Sequence, residues 1–394
     1  MPASSAPTDP DARAAALLAH LVAFPTVSDR SNLDLIAYVE DYLASHGISA
    51  TRVLDETGEK AAIYTQIGPD LPGATVLSAH SDVVPVEGQD WSSDPFTLVE
   101  RDGRLYGRGA CDMKGFLACV LSRVPDMAAA GLRRPIRIAL SYDEEVGCLG
   151  APPMIAHMAA ALGPARAVIV GEPTEMRVVS AHKGIAEMTT HLRGYEVHSS
   201  LVHKGVSAVM EAAHLITWLE ARMAALAAAP MAAGNADFDP PYSTLHVGKI
   251  HGGTAHNITA RDCAFSTDIR TVPTDRIDDL LAKYRAECAR VAARMQAIHP
   301  ETGVSIDLHA TVPGCRPEEG GAAEELARRL TGDNSRNVVS YATEAGQFQE
   351  AGFSTVVCGP GSIAQAHQPD EFITRAQMAA CGAFLDRLIA DHAA

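Results

Sequence analysis

Four short apolar runs in this 394-residue chain each lead to an Asp, Glu or His. TVLSA (75–79) leads into His80-Ser81-Asp82, RIALSY (137–142) into Asp143-Glu144-Glu145, AVIV (167–170) into Gly171-Glu172, and STVVC (354–358) into a Gly/Pro loop before His367. Each run reads as a buried strand and each polar group as the loop at its carboxyl end. Short strands are also expected around 49–54 and 61–67, and Asp102-Gly103 supplies hairpin turn chemistry within LVERDGRLYG. Helical spacing runs through Ala14, Leu17, Leu18, Leu21 and Val22, and through Leu35, Ile36, Val39 and Leu43 to a C-cap at Gly47. Further helices are expected from Lys114 to about Ala129 and near 153–162. This alternation predicts an α/β fold with a central mixed sheet covered by helices.

Near His182 the rhythm changes. EMTTHLRG reads as a strand, 205–228 as an Ala-rich helix, STLHVGKI and CAFSTDIRTV as strands, 275–296 as a helix and VSIDLHAT as a last strand. The order βαββαβ is that of a self-contained two-layer, ferredoxin-like unit. After Pro313 a helix over Ala322–Leu330 and the strand before Cys358 resume the first architecture. A chain of this length exceeds what one core usually holds. The expected organisation is a catalytic domain in two parts, 1–181 and 314–394, interrupted by an inserted domain at 182–313.

The composition, 47% hydrophobic and 20% charged, suits a globular protein, and a formal net charge of −16 argues against nucleic acid or an anionic membrane as a partner. No apolar run reaches membrane-spanning length. MPASSAPTDP lacks a basic start and an apolar core, so a frayed end is expected there rather than a signal peptide. Eight cysteines without a C-x-x-C pair fit reduced thiols in the cytoplasm. Cys111, beside Asp112, is expected to be a small buried filler.

Residues at the carboxyl ends of neighbouring strands converge in an open α/β sheet. Five carboxylates, Asp82, Asp112, Glu144, Glu145 and Glu172, would there share one site with His80 and His367. Like charges that close cannot all stay ionised, and divalent cations remove the conflict. Imidazole and carboxylate donors without thiolates favour two Zn2+ ions, with Co2+ as a substitute. Two ions about 3.5–4 Å apart would acidify a water between them and polarise a carbonyl. Consecutive side chains leaving a strand diverge, so one of Glu144 and Glu145 can bind metal while the other stays free as a base. Asp82 is placed to accept the second N–H of the His80 ring. H-E-x-x-H, G-x-S-x-G and G-x-x-x-x-G-K-[ST] are all absent.

SAHSDVVP, YGRGACDMKG, SYDEEVGCLG, VGEPT, GYEVHSS, KIHGGTAHN, DIR, TEAGQF and GPGSIAQAHQPDEF together resemble the acetylornithine deacetylase and succinyl-diaminopimelate desuccinylase family of metal-dependent amide hydrolases, over about residues 75–372. TEAGQF and GPGSIAQAHQPDEF are most similar to its acetylornithine-cleaving branch. The resemblance implies that His80 and Glu172 hold one ion, Glu145 and His367 the other, that Asp112 bridges them, and that Glu144 is the general base. It also implies a cis peptide after Asp112 and an inserted domain that serves as lid and forms a homodimer. His198 would stabilise the oxyanion in the partner's site; its bland alternative is a strand-end histidine bonded to Ser199. Asn257 and Arg270 would hold the substrate carboxylate, unless Arg270 pairs with Asp268. Glu344 would meet a substrate ammonium or, equally, be a helix N-terminal acid. His182, His203, His246, His251 and His256 are expected mostly on the surface or in loops. The implied reaction is hydrolysis of N2-acetyl-L-ornithine to L-ornithine and acetate, a step of arginine biosynthesis. The alternatives are a desuccinylase, an acetylcitrulline or acetyl-diaminobutyrate deacetylase, a dipeptidase, or a non-catalytic protein binding metal or amino acid.

Overall fold

A computed structural model describes residues 9–394, so the expected frayed end lies almost wholly outside the described residues. The chain runs through α1 (Pro10–Val22), α2 (Leu33–Ser45), β1 (Thr51–Leu54), β2 (Ala61–Ile67), β3 (Thr75–His80), β4 (Val99–Arg101), β5 (Arg104–Tyr106), α3 (Lys114–Ser122), α4 (Val124–Ala129), β6 (Ile136–Ser141), α5 (Ala151–Leu162), β7 (Ala167–Pro173) and β8 (Val179–His182). It continues with β9 (Gly184–Arg193), α6 (Ala208–Ala228), β10 (Thr244–Gly252), β11 (Asp262–Thr271), α7 (Ile277–Gln296) and β12 (Gly303–Val312). The last elements are α8 (Ala322–Thr331), β13 (Asn337–Val339), α9 (Ala345–Glu350), β14 (Thr355–Gly359), β15 (Phe372–Thr374) and α10 (Arg375–Ala393).

Two compact units result. One comprises the residues up to Ala181 with Pro317–Asn337 and Thr343–Ala394; the other comprises His182–Arg316 and Val338–Ala342. The main sheet has the order β1-β2-β6-β3-β7-β14-β8-β13. Its centre, β6-β3-β7-β14, is parallel throughout, while β2 runs antiparallel to β6 and β8 antiparallel to β14. These four neighbours are the four apolar runs, so their polar endings emerge side by side. With adjacent strands about 4.8 Å apart, groups distant in sequence fall within one short row.

Local chemistry explains the helix limits. Asp9 accepts from Ala12 N at 3.0 Å and Pro10 opens α1, a paired start signal. The single helix expected over 114–129 is divided at Arg123, because Pro125 has no N–H to continue the ladder. The hairpin β4–β5 joins β15 in a separate three-stranded sheet, with Asp102 and Gly103 both at positive φ as a tight turn requires. In the second unit α6 and α7 pack on one face of an antiparallel sheet ordered β10-β11-β9-β12, burying Leu215, Leu219, Phe265, Tyr284 and Val291.

His182 is fully buried rather than superficial, whereas His203, His246, His251 and His256 are exposed. In the first unit His392 is buried against Thr75, whose hydroxyl lies 2.9 Å from Nε2. Burial, with Arg134 nearby, pulls the His392 pKa down to about 4. A base whose folded pKa is depressed takes up protons more readily when unfolded. Its stabilising effect is therefore complete above about pH 6.5 and is lost as pH falls toward 4. At pH 5 this loss is about 2 kcal/mol. His392→Gln, which can still bond Thr75, is expected to lose correspondingly less stability between pH 7 and pH 5 in urea titrations. Equal losses in the two proteins would show that His392 does not titrate against the fold.

Candidate metal centre

Two of the expected ligands are carried by the sheet itself. His80 ends β3 and is 1% exposed, and Glu172 lies within β7 at 4%. Gly171 lets β7 pass closely over α3, since a Cβ there would sit 2.1 Å from the Phe116 ring. Glu144 and Glu145 lie in the turn after β6, opened by Asp143 at φ +56°. Lys60 Nζ bonds both oxygens of that carboxylate at 2.6 and 2.7 Å. Asp112 sits in the irregular loop between β5 and α3, and the peptide after it is cis. His367 follows β14 in a loop, at φ +62° and with its side chain 48% exposed.

The structure brings these residues into two triads that share Asp112: His80, Asp112 and Glu172, and Asp112, Glu145 and His367. His80 Nε2 lies 3.0 Å from Asp112 Oδ1 and 3.6 Å from Glu172 Oε1. His367 Nε2 lies 3.4 Å from Asp112 Oδ2 and 3.0 Å from Glu145 Oε2. Each oxygen of Asp112 thus faces a different triad. Burial raises Glu172 and Glu144 well above the usual carboxylate range and carries Glu145 to about 7, Asp112 adding to the rise at Glu172 and Glu145. Hydrogen bonds to Asp112 and Glu145 lift His367 to about 10. Oε1 of Glu145 and Oε1 of Glu172 are buried with no hydrogen-bond partner. Orphaned acceptors in a cluster of acids and imidazoles are what a divalent cation in each triad would satisfy, so the donor set fits two ions.

Asp82 is better occupied than the sequence suggested. The nearer acceptor for His80 Nδ1 is the backbone carbonyl of Asp82, at 3.0 Å, with the carboxylate at 3.4 Å. That carboxylate receives the Glu144 and Glu145 amides, at 3.1 and 3.2 Å, and the Ser28 hydroxyl at 2.7 Å. Glu344 is 1% exposed at the N-terminus of α9, where Ser78 and Ser141 donate to its two oxygens. Burial raises its pKa to about 7. Its position is that of the helix N-terminal acid, and no side of it faces solvent.

The remaining candidates belong to the second unit. His198 is exposed, and its Nδ1 accepts from Ser200 N at 3.2 Å, not from Ser199. Asn257 is exposed on the adjacent loop, its carbonyl bonded to Ser199 N at 2.8 Å. Arg270 forms a bidentate pair with Asp268, with contacts of 3.0 and 2.9 Å. Cys111 is buried, as are the other seven cysteines, all free. Lys60, which pins the Glu144 turn from a distant hairpin loop, was invisible in the sequence; a lysine after Gly58-Glu59 carries no motif.

The family model for peptidase family M20/M25/M40 matches residues 76–391. An acetylornithine deacetylase of Myxococcus xanthus is 37% identical over 387 residues, 95% of this chain and 96% of that protein. One from Shigella sonnei is 35% identical over 367 residues, 90% and 91% of the two chains. Among solved structures an M20 family metallo-carboxypeptidase of Sulfolobus solfataricus shares the fold, with TM-score 0.78 at 17% identity over 96% of this chain and 99% of that one. Sequence relatives and site together define a metal-dependent hydrolase of amide bonds. The chain belongs to peptidase family M20/M25/M40.

Ions that bind only the folded carboxylate cluster stabilise it by mass action. Removing divalent ions with a chelator is expected to lower the melting temperature at pH 7.5, and added Zn2+ to restore it. An unchanged transition after verified removal would mean that the buried carboxylates are satisfied by the chain alone.

Proposed function

We propose that the protein hydrolyses the acetyl amide of N2-acetyl-L-ornithine, giving L-ornithine and acetate for arginine biosynthesis. The observation that carries the hydrolytic reading is Asp112, whose two oxygens face two separate triads while Glu144 belongs to neither. The substrate rests on the relatives named acetylornithine deacetylase, which align over nearly the whole chain. Two divalent ions, Zn2+ with Co2+ as a substitute, would be held by His80, Glu172, Asp112, Glu145 and His367, polarising the acyl carbonyl and acidifying water beside it. Glu144 takes the proton from the attacking water and returns it to the departing amine. Asp82 keeps Glu144 and Glu145 pointing apart by holding both their amides. His198 donates to the developing oxyanion, and Arg270, leaving Asp268, holds the substrate carboxylate together with Asn257. A kinetic panel of N-acetyl-ornithine, acetylcitrulline, acetyl-diaminobutyrate, succinyl-diaminopimelate and dipeptides on Zn2+-loaded protein is expected to rank acetylornithine first in kcat/KM. A flat ranking, or a lead for any other member, would sink the substrate assignment.

The second unit would act as lid and as the contact of a homodimer. Strand β10 is an edge of its sheet, exposed from Lys249 to Gly252, and Ile250, Val209 and Met210 present apolar surface beside it. An open edge flanked by apolar side chains is suited to pairing with a second copy. The eight free, buried cysteines support a reducing compartment, the cytoplasm. Among the described residues no helix is long and apolar enough to cross a membrane. Glu144→Ala and His198→Ala are each expected to lower kcat, the first by about 10²–10⁴-fold. If His198 serves the partner's site, mixing the two inactive proteins should regenerate activity. No recovery after demonstrated subunit exchange would confine His198 to its own chain.

A further inference from the structure

The ligands of the two triads are held in place by unlike means. His80 and Glu172 lie in central strands, fixed by ladder hydrogen bonds, whereas Asp112 and His367 lie in loops without strand partners. Glu371 and Arg108 are each 1% exposed, and their side chains meet at 2.7 Å. A carboxylate can accept about four hydrogen bonds, and Glu371 accepts four. Oε2 takes Arg108 Nη1 and Gly109 N at 3.0 Å, and Oε1 takes Cys111 N at 2.8 Å and Asp112 N at 3.0 Å. The loop carrying Asp112 is therefore wrapped around one buried carboxylate.

Arg108 carries the connection onward. Its Nη1 also donates to Gln368 O at 3.3 Å, and its Nη2 to Gln89 Oε1. Gln89 Nε2 in turn donates to the carbonyl of His367 at 2.9 Å, holding a residue kept at positive φ. The guanidinium lies 5.0 Å from the Trp91 ring, and the Trp91 indole N–H donates to Gln89 at 3.0 Å, so the relay is braced from one side.

We infer that Glu371, acting through Arg108 and Gln89, is a positioning residue that sets Asp112 and His367, two of the ligands carried by loops, at the spacing two ions need. The inference rests on the two-ion reading of the site. Glu371→Gln replaces one acceptor oxygen with an NH2 that confronts two N–H donors, so at least two of its four bonds are lost. Asp112 belongs to both triads, so both ions should be held less tightly. Gln89→Ala removes the link to His367 and the acceptor that Arg108 and Trp91 share, but leaves all four bonds of Glu371 to Arg108 and the Asp112 loop, so the ion beside Glu145 and His367 should be the one affected.

The test is release of Zn2+ from the zinc-loaded enzyme to a chromophoric chelator, which reads the number of ions and the affinity of each without measuring turnover. Wild type is expected to give two ions per chain. Glu371→Gln should weaken both, by about 10- to 100-fold, and Gln89→Ala one alone, with secondary structure unchanged by circular dichroism. Fewer than two ions on the wild type would overturn the two-ion reading and this inference with it. Two ions on the wild type and wild-type affinities in Glu371→Gln would overturn the positioning role only. If Glu371→Gln does not fold, Gln89→Ala at its partly exposed site decides: loss at one ion supports the relay, and unchanged affinity at both overturns it.

Discussion

Crowding of negative charge around Asp112 is the constraint to which the rest of the first unit answers. Glu144, Glu145 and Glu172 are all pushed upward by burial, and repulsion from Asp112 adds to that in each. Asp112 itself goes the other way: bonds to His367 and His80 outweigh its burial and hold it well below the usual carboxylate range. The two imidazoles therefore flank the shared carboxylate while the other acids ring it. Cations placed in the two triads would take over that flanking role at both oxygens. An arrangement so costly in repulsion persists only on a frame that cannot relax away from it.

The parallel centre of the sheet is that frame. Strands β6, β3, β7 and β14 are neighbours, and their ladders fix the positions from which Glu144, Glu145, His80, Glu172 and the loop to His367 depart. Close packing below keeps the strands from shifting. A Cβ on Gly359 would lie 1.9 Å from the carbonyl of Gly171, so β7 and β14 touch through two bare backbones immediately beside Glu172. Ladder bonds reach no further than the strands, and Asp112 and His367 lie beyond them. The Glu371–Arg108–Gln89 relay occupies just that gap.

Much of this was legible in the sequence because strand-borne chemistry leaves a local trace. An apolar run followed at once by His80 or Glu172 encodes both burial and direction, and a β-then-helix change of period marks the inserted unit at His182. Helix α10 carries the same kind of trace: Met378, Cys381, Leu385 and Leu388 recur at helical spacing after a capping threonine, Thr374. The relay was not legible. Arg108 and Glu371 stand 263 positions apart, each beside residues that read as an ordinary loop, and a charged pair becomes informative only when its burial is known. The burial of Glu344 was not legible for a related reason, since a glutamate opening a helix looks the same in sequence whether it faces solvent or two buried hydroxyls.

Glu144 and Glu145 are neighbours in sequence, yet only Glu145 belongs to a triad. Their amides end on the two oxygens of one carboxylate, Asp82, at 3.1 and 3.2 Å. Beyond those amides the side chains diverge: Glu145 reaches His367 at 3.0 Å, while Glu144 Oε1 lies 3.4 Å from Cys148 Sγ and outside both triads. Asparagine at position 82 would offer one acceptor oxygen where two amides need two. One of the peptides would then lose the charged acceptor that fixes it, and with it the divergence of the two side chains. An aspartate two residues after His80 is thus required less for the imidazole than for the turn on the neighbouring strand, a requirement only the strand order β6-β3 brings about.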